Sequence, residues 1–183
     1  MKLKRRRQQK TDYRQRLALL RSGSVRAVVR YTTKNVKIQF VQHLKEGDVT
    51  LVEVSSSNVA KLGWKGHGAS LPCAYLVGYL AGKHAVKRDL RSAVLDIGLR
   101  KSRKGSVLYA AAKGIIDAGV SMPMGDVLPT DAEVRGSRIS AYAAHLKKES
   151  NERYQKQFSA LLKRGCDPER ISEHVEDVKA KIA

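Results

Sequence analysis

The sequence predicts an α/β protein in which helices pack against a mixed sheet, made of an antiparallel meander plus a buried central strand. Apolar and polar residues alternate in three segments between positions 25 and 54, which is the period of half-buried strands. The nearly continuous apolar run AVLDIGL at 93–99 is typical of a strand covered on both faces. Later segments repeat their apolar residues with helical spacing.

The three alternating segments define the meander. We expect strands at 25–31, 36–41 and 49–54, joined by connections at 32–35 and 46–48. One side of this sheet is apolar, and the other collects four polar residues: Arg26, Arg30, Lys37 and Gln39. This cationic side is either the solvated face of a half-buried sheet or a surface that faces RNA.

Helices are predicted before the meander and through the rest of the chain. The expected spans are 13–20, 72–87, 107–116, 137–146, 154–162 and a last helix that starts at Asp167-Pro168 and reaches 182. Pro72 suits a first helical turn, Ser137 suits a cap, and glycines at 23, 119 and 165 mark helix ends. Gly78 and Gly82, four residues apart, would let another element approach closely. We divide the chain into a basic arm (1–21), an α/β core (22–148) and a C-terminal helical appendage (149–183).

The charge is strongly positive and unevenly spread. The 183 residues include 36 Lys+Arg and 17 Asp+Glu, a formal net charge of +19. Residues 1–30 alone carry 11 Lys+Arg and one acid, whereas residues 151–183 carry 7 against 6. The amino-terminal block KLKRRRQQK is either a solvated, disordered tail or an arm that binds a polyanion. Nucleic acid is the favoured partner, because the arm lacks the apolar face that a membrane surface would require.

Two further loops carry candidate nucleic-acid contacts. In the glycine-rich segment 63–68, Trp64 either anchors the loop in the core, which we favour, or stacks on a base while Lys65 meets a phosphate. The spacing of a nucleotide-hydrolase phosphate loop is absent there. The segment RKSRKG at 100–105 places four cations between a strand and a helix, a common geometry for gripping phosphate.

The sequence offers no catalytic constellation. The five histidines and two cysteines show no metal-ligand spacing, so we expect no metal, no cofactor and no small-molecule substrate. Asp96 lies in a predicted buried strand, where ribonuclease-H-like enzymes hold a carboxylate. Such an enzyme needs several converging carboxylates, and the available ones fit helix ends and loops better: Asp117, Asp126, Asp131 and Glu133. A metal-dependent RNA-processing enzyme and a general RNA chaperone remain the alternatives to a structural RNA-binding protein.

Composition excludes several other classes. A hydrophobic fraction of 42% is enough for one core of domain size, which argues against a wholly disordered basic chain. Two distant cysteines, Cys73 and Cys166, suit a reducing compartment rather than a disulfide scaffold. The longest uncharged apolar stretch, 71–82, is too short for a membrane helix, and no signal peptide is expected. We expect a soluble intracellular protein.

Several long segments together resemble a known family. These are YRQRLALLRSGSVRAVVRYTTKNVKIQFV, GDVTLVEVSS, LGWKGHGASLPCAYLVGYLAGKHA and the run from AVLDIGLRKSRKG to EVRGSRISAYA. The last ends in an RG-x-x-I-x-x-YA pattern, carried here by Arg135, Gly136, Ile139, Tyr142 and Ala143. Over roughly residues 10–148 the chain is similar to the archaeal and eukaryotic large-subunit ribosomal proteins that bind 5S ribosomal RNA, and it looks closest to the archaeal form.

The resemblance implies a structural, non-enzymatic role on the cytoplasmic ribosome. The chain would hold 5S rRNA in the central protuberance and tie it to the large-subunit rRNA, beside neighbouring large-subunit proteins. The resemblance implies RNA contacts in the arm, the first hairpin and the 100–105 loop, to which we add Trp64 and Lys65. The expected contact residues are Lys4, Arg5, Arg6, Arg7, Lys10, Tyr13, Arg14, Arg16, Arg21, Arg26, Arg30, Thr33, Lys34, Asn35, Lys37, Gln39, Trp64, Lys65, Arg100, Lys101, Arg103 and Lys104. The C-terminal helices are expected to pack on rRNA or on a neighbouring protein.

Overall fold

A computed structural model describes residues 4–182 of the chain. Its four-stranded sheet has the order β3–β2–β1–β4. The strands β1 (Arg26–Tyr31), β2 (Val36–Leu44) and β3 (Gly47–Ser55) form an antiparallel meander, and β4 (Val94–Asp96) runs parallel to β1. The predicted mixed α/β architecture is confirmed. Residues 1–3 of the expected arm and residue 183 of the expected appendage lie outside the described residues.

The fourth strand lies at the edge of the sheet rather than at its centre, which corrects its expected position. Only three residues of the apolar run are strand, because Gly98 turns the chain with a φ of 63°. β4 pairs with β1 on one side, and beyond it there is one isolated bridge, between Ser92 and Ser121, among the described residues. The run is apolar because its side chains pack against the core, not because strands flank it on both sides. Leu95 and Ile97 contact that core while remaining partly exposed.

Helices occupy the predicted positions, with three short additions. The nine helices of residues 4–182 are α1 (Lys4–Arg7), α2 (Tyr13–Arg21), α3 (Ser56–Lys61), α4 (Leu71–Val86), α5 (Val107–Asp117), α6 (Asp131–Val134), α7 (Ser137–Glu149), α8 (Asn151–Lys163) and α9 (Ile171–Ile182). The helices α1, α3 and α6 are short segments that the periodicity did not indicate. In this described part of the chain, no helix has the length and apolar character needed to cross a membrane.

Close packing of α4 on α5 forms the centre of the helical layer. A Cβ atom at Gly78 would collide with the carbonyl oxygen of Ala111, and one at Gly114 would collide with that of Tyr75. Gly82 is equally confined, since its Cβ would lie 2.6 Å from the Cβ of Ala118. The predicted close approach at Gly78 and Gly82 is therefore confirmed, and the partner is α5.

The cap of α7 differs from the expected one, although the helix starts at Ser137 as its predicted span has it. Gly136, not Ser137, is the residue before the helix, and its left-handed φ of 89° explains why a glycine is needed there. The apolar stripes predicted for α7 and α8 are also incomplete, because Tyr142 and Leu162 are 51% and 38% exposed. Ala143, Leu146, Tyr154 and Phe158 do form a buried cluster between these two helices.

The main core lies between the inner face of the sheet and the layer of α4 and α5. β1 and β2 contribute fully buried Ala27, Val29, Ile38 and Phe40 to it. The last helix, α9, belongs to the same cluster through Ile171, Val175 and Val178. The C-terminal region expected as an appendage thus includes one helix that is part of the main core.

Candidate nucleic-acid interface

The outer face of the sheet carries a buried charge network centred on Asp96. Its carboxylate accepts hydrogen bonds from Arg26 Nη1 at 3.1 Å and from Arg30 Nη2 at 2.8 Å. Because Asp96 pairs with Val28, which lies between Arg26 and Arg30 on the same face of β1, its side chain emerges on the face of the two arginines. Arg26 is only 2% exposed, so the expectation that it lies on a solvent-facing surface is wrong. Arg30 keeps 46% of its side chain exposed.

A second carboxylate, Asp48, links this network to the amino-terminal arm. It accepts hydrogen bonds at 2.7 Å from Arg16 on α2 and from Arg26, and it lies 2.9 Å from His43 Nδ1. Partial burial alone would raise the pKa of this carboxyl, but the bonds from His43, Arg16 and Arg26 outweigh it and lower the pKa to about 2. Asp48 therefore stays ionised at neutral pH and holds α2 over the sheet.

A groove of about 610 Å³ lies between the arm and the outer face of the sheet. Six cations line it, together with the carboxylates of Asp12, Asp48 and Asp96. The cations are Arg5, Lys10, Arg16, Arg26, Arg30 and Arg100. The structure thus brings arm and sheet residues of the predicted set into one positively charged groove. The outer face expected to be cationic is partly neutralised, because it also carries carboxylates from β3 and β4.

The arm itself exposes its charge. Asp12 caps α2 by accepting from the backbone N–H groups of Arg14 and Gln15, which fixes where this helix starts. No residue of α2 is buried, and Leu17 is 55% exposed. Tyr13 and Arg16 are half-buried, whereas the other predicted arm contacts are exposed: Lys4, Arg5, Arg6, Arg7, Lys10, Arg14 and Arg21. The arm is helical in the structure but weakly attached.

The first hairpin presents some of its predicted contacts freely and pairs others. Thr33, Lys34 and Asn35 are exposed in the β1–β2 turn. Lys37 and Gln39 both bind Glu53 of the neighbouring strand, at 2.7 Å and 2.6 Å. Among the described residues, the turn cation Lys34 therefore has no carboxylate partner, unlike Lys37 in the strand.

Trp64 lies in the core rather than on the surface. It is 5% exposed and stacks on His174 of α9, with ring centroids 5.1 Å apart and planes inclined by 13°. The favoured anchoring interpretation is confirmed, and the buried ring, stacked on His174, is not presented to a base in this structure. The adjoining Lys65 is exposed, and its backbone N–H donates to His174 Nε2 at 3.1 Å.

Protonation of His174 is expected to weaken the fold at acidic pH. Burial lowers the pKa of its imidazole below 6.5; nearby Lys65 and Lys181 lower it as well, while Asp177 opposes them. Because the folded pKa is lowered, this stabilisation is complete above pH 6.5 and is lost as the pH falls through the folded value. Asp48 does not contribute in this window, since its stabilisation is lost only below 3.8, towards its folded pKa of about 2.

Urea unfolding of wild type and His174→Asn checks this expectation. The wild type should lose more stability than the variant between neutral pH and about pH 5. The exposed His84→Asn variant serves as the control and should follow the wild type. Equal losses in wild type and His174→Asn would contradict the assignment.

The cationic loop at 100–105 extends the groove. Arg100 stacks on the ring of Tyr31 at 4.6 Å and donates to the Tyr31 carbonyl at 3.3 Å. Lys104 binds Asp126 at 2.6 Å. Within residues 4–182, Lys101 and Arg103 are exposed and form no ion pair. This loop therefore holds two free cations at the β4 edge of the sheet.

The carboxylates do not converge as a two-metal nuclease would require. Asp96 is held by two arginines, while Asp117 accepts from Tyr75 and Asp131 pairs with Lys113. Glu133 forms a capping box with Thr130 at the start of α6. Across the described residues, no group of three or more histidines, cysteines, aspartates or glutamates could hold a metal ion. The helix-end and loop roles expected for these acids are confirmed.

Comparison with known proteins identifies the class and then the family. Residues 1–91 match the family model described as ribosomal large subunit proteins 60S L5 and 50S L18. The chain is 46% identical over 180 residues to the large ribosomal subunit protein uL18 of Methanococcus maripaludis, covering 98% of this chain and 93% of the relative. It is also 43% identical to the Thermofilum pendens uL18 and 45% identical to that of Aeropyrum pernix, over 98% of this chain and 92% and 85% of those relatives.

These matches define the class as large-subunit ribosomal proteins. Within that class, the chain belongs to the uL18 family. The resemblance to this family and the similarity to archaeal members are confirmed. The family is one of structural proteins rather than enzymes, as expected from the sequence.

Proposed function

We propose that this chain binds 5S rRNA and attaches it to the large-subunit rRNA in the central protuberance. Membership of the uL18 family makes the chain a structural constituent of the large ribosomal subunit and places it on cytoplasmic ribosomes. The observation that carries the finer proposal is the groove between arm and sheet, in which six cations from the arm, β1 and the 100–105 loop meet. Neighbouring ribosomal proteins would contact the remaining surface.

Charge supplies most of the affinity in this proposal. Lysines and arginines that meet phosphates release condensed ions, so the affinity falls with salt at a slope of about −0.7 to −0.9 per phosphate neutralised. Asp96 and Asp48 hold Arg30 and Arg16 in fixed positions, which lowers the entropy that these side chains lose on binding. Aromatic residues make up only 5% of the chain, and Trp64 is buried, so Tyr13 is the remaining stacking candidate.

Selectivity for one RNA has to come from RNA shape. Side chains cannot read the deep, narrow major groove of A-form RNA, so the arm and the groove would recognise the loops and bulges of a folded RNA. A general RNA chaperone would lack this selectivity, which separates the two functions experimentally.

Purified protein is expected to bind isolated 5S rRNA tightly at near-physiological salt. Transfer RNA of comparable length is the competitor, because it offers a similar number of phosphates in a different fold. We expect an excess of transfer RNA to displace little 5S rRNA in a filter-binding competition. If transfer RNA competed as well as 5S rRNA, the proposed selectivity would be contradicted and the protein would be a general RNA-binding protein.

A further inference from the structure

We propose that a second groove, around Lys34, Lys65 and Arg164, binds an rRNA phosphate backbone independently of the arm. The inference deepens the proposed function and rests on it. The groove has a volume of about 740 Å³ and lies between the β1–β2 turn, the glycine-rich loop and the end of α8. Arg164 comes from the C-terminal region, which the sequence analysis expected to pack on rRNA or on a neighbouring protein without naming a contact residue.

The charge of this groove differs in kind from that of the first. Lys34, Lys65 and Arg164 are all exposed, and no aspartate or glutamate lines the groove. Within residues 4–182, none of the three pairs with a carboxylate, whereas Arg16, Arg26 and Arg30 all do. Like charges held together without a counter-charge repel each other, so a bound polyanion would relieve a cost that the folded protein carries.

Backbone contacts hold the three cations together. Arg164 Nη1 donates to the carbonyl of Gly66 at 3.2 Å, which ties the end of α8 to the glycine-rich loop. The N–H of Lys65 is fixed by His174, and a Cβ atom at Gly165 would lie 3.7 Å from Lys65 Nζ. A Cβ at Gly68 would collide with the carbonyl of Lys34, so this glycine lets the turn and the loop meet.

The lining fits RNA better than a protein partner. Interface cores between proteins are enriched in exposed aromatic and other apolar side chains, whereas nucleic-acid interfaces are polar and strongly positive. The aromatic ring here, Trp64, is buried beneath the groove, and the rest of the lining is mainly hydroxyl, amide, glycine and cationic groups. The site would therefore contact phosphates rather than stack on bases.

The test compares Lys65→Gln/Arg164→Gln with the wild type in binding to 5S rRNA and, separately, to large-subunit rRNA. For at least one RNA, we expect the salt slope to fall by about 0.7–0.9 for each phosphate contact removed, and affinity at moderate salt to fall about tenfold. The control Lys148→Gln/Lys156→Gln removes the same charge from exposed sites on α7 and α8 and should keep the wild-type slope. Arg164→Lys keeps the positive charge, so it should retain most of the salt slope and affinity that Arg164→Gln removes.

The outcomes separate this inference from the proposed function. An unchanged slope for both RNAs in the double variant, with wild type still preferring 5S rRNA over transfer RNA, would overturn the second groove alone. Unchanged RNA binding with loss of a neighbouring ribosomal protein during subunit assembly would assign the groove to an acidic protein instead. A second double variant, Lys34→Gln/Lys65→Gln, keeps the hydrogen bond between Arg164 and Gly66. If its salt slope falls as much as that of Lys65→Gln/Arg164→Gln, the lost RNA affinity does not come from a displaced loop.

Discussion

Replacement of Asp96 by asparagine is expected to lower the free energy of unfolding by about 3 kcal/mol. Removing this charge leaves the buried Arg26 with Asp48 as its remaining anionic partner, and it loosens the bond that orients Arg30. Breaking a buried ion pair costs about 3–5 kcal/mol, and the surviving bond to Asp48 places this case at the low end. Urea unfolding of the purified variant measures the loss.

Asp126→Asn is the matched control for this change. Asp126 is an exposed loop residue that pairs with Lys104, so its loss should cost less than about 0.5 kcal/mol. A cost for Asp96→Asn no larger than that of the control would show that the network contributes little. Asp96→Asn also tests the enzyme alternative. That alternative predicts that the variant loses metal-dependent RNA cleavage while its fold stays intact.

Deletion of residues 1–21 is expected to weaken 5S rRNA binding by at least about a hundredfold while leaving the melting temperature nearly unchanged. The deletion removes nine Lys+Arg and one side of the first groove. It removes no buried residue of α2, and Asp48 keeps Arg26 and His43 as partners. Filter binding and thermal unfolding monitored by circular dichroism report the two effects separately.

A milder variant separates charge from the presence of the helices. Replacing the four cations of α1 with glutamine keeps α2 and its contact with Asp48, so part of the affinity and of the salt slope should remain. A drop of more than a few degrees in melting temperature after the full deletion would contradict the view that the arm is weakly attached. Unchanged RNA affinity would contradict the role of the arm.

Local patterns predicted the elements well because their causes are local. Alternation gave the three strands of the meander, and Gly119 and Gly165 end α5 and α8 with positive φ values, as expected. Confinement of Gly78 could be predicted from its spacing to Gly82, although the spacing did not identify α5 as the partner. The edge position of β4 depends on which strand pairs with β1, and nothing in the run 93–99 determines that.

The candidate site was predicted less completely, because its chemistry depends on pairs far apart in sequence. Arg26 looked like a surface cation, since its partner Asp96 is 70 positions away and its other partner, Asp48, was expected in a turn but belongs to β3. The contribution of Arg164 to the second groove follows from its bond to Gly66, 98 positions away. One available signal was overlooked: Asp96 stands as a lone acid in an apolar run, and a buried acid calls for a cationic partner.

Structure determination of the large ribosomal subunit containing this protein tests the central claim most directly. The account predicts rRNA phosphates in the groove between the arm and the outer face of the sheet, within reach of Arg5, Lys10 and Arg30. Finding that groove open to solvent, or filled by another protein with rRNA elsewhere, would contradict it.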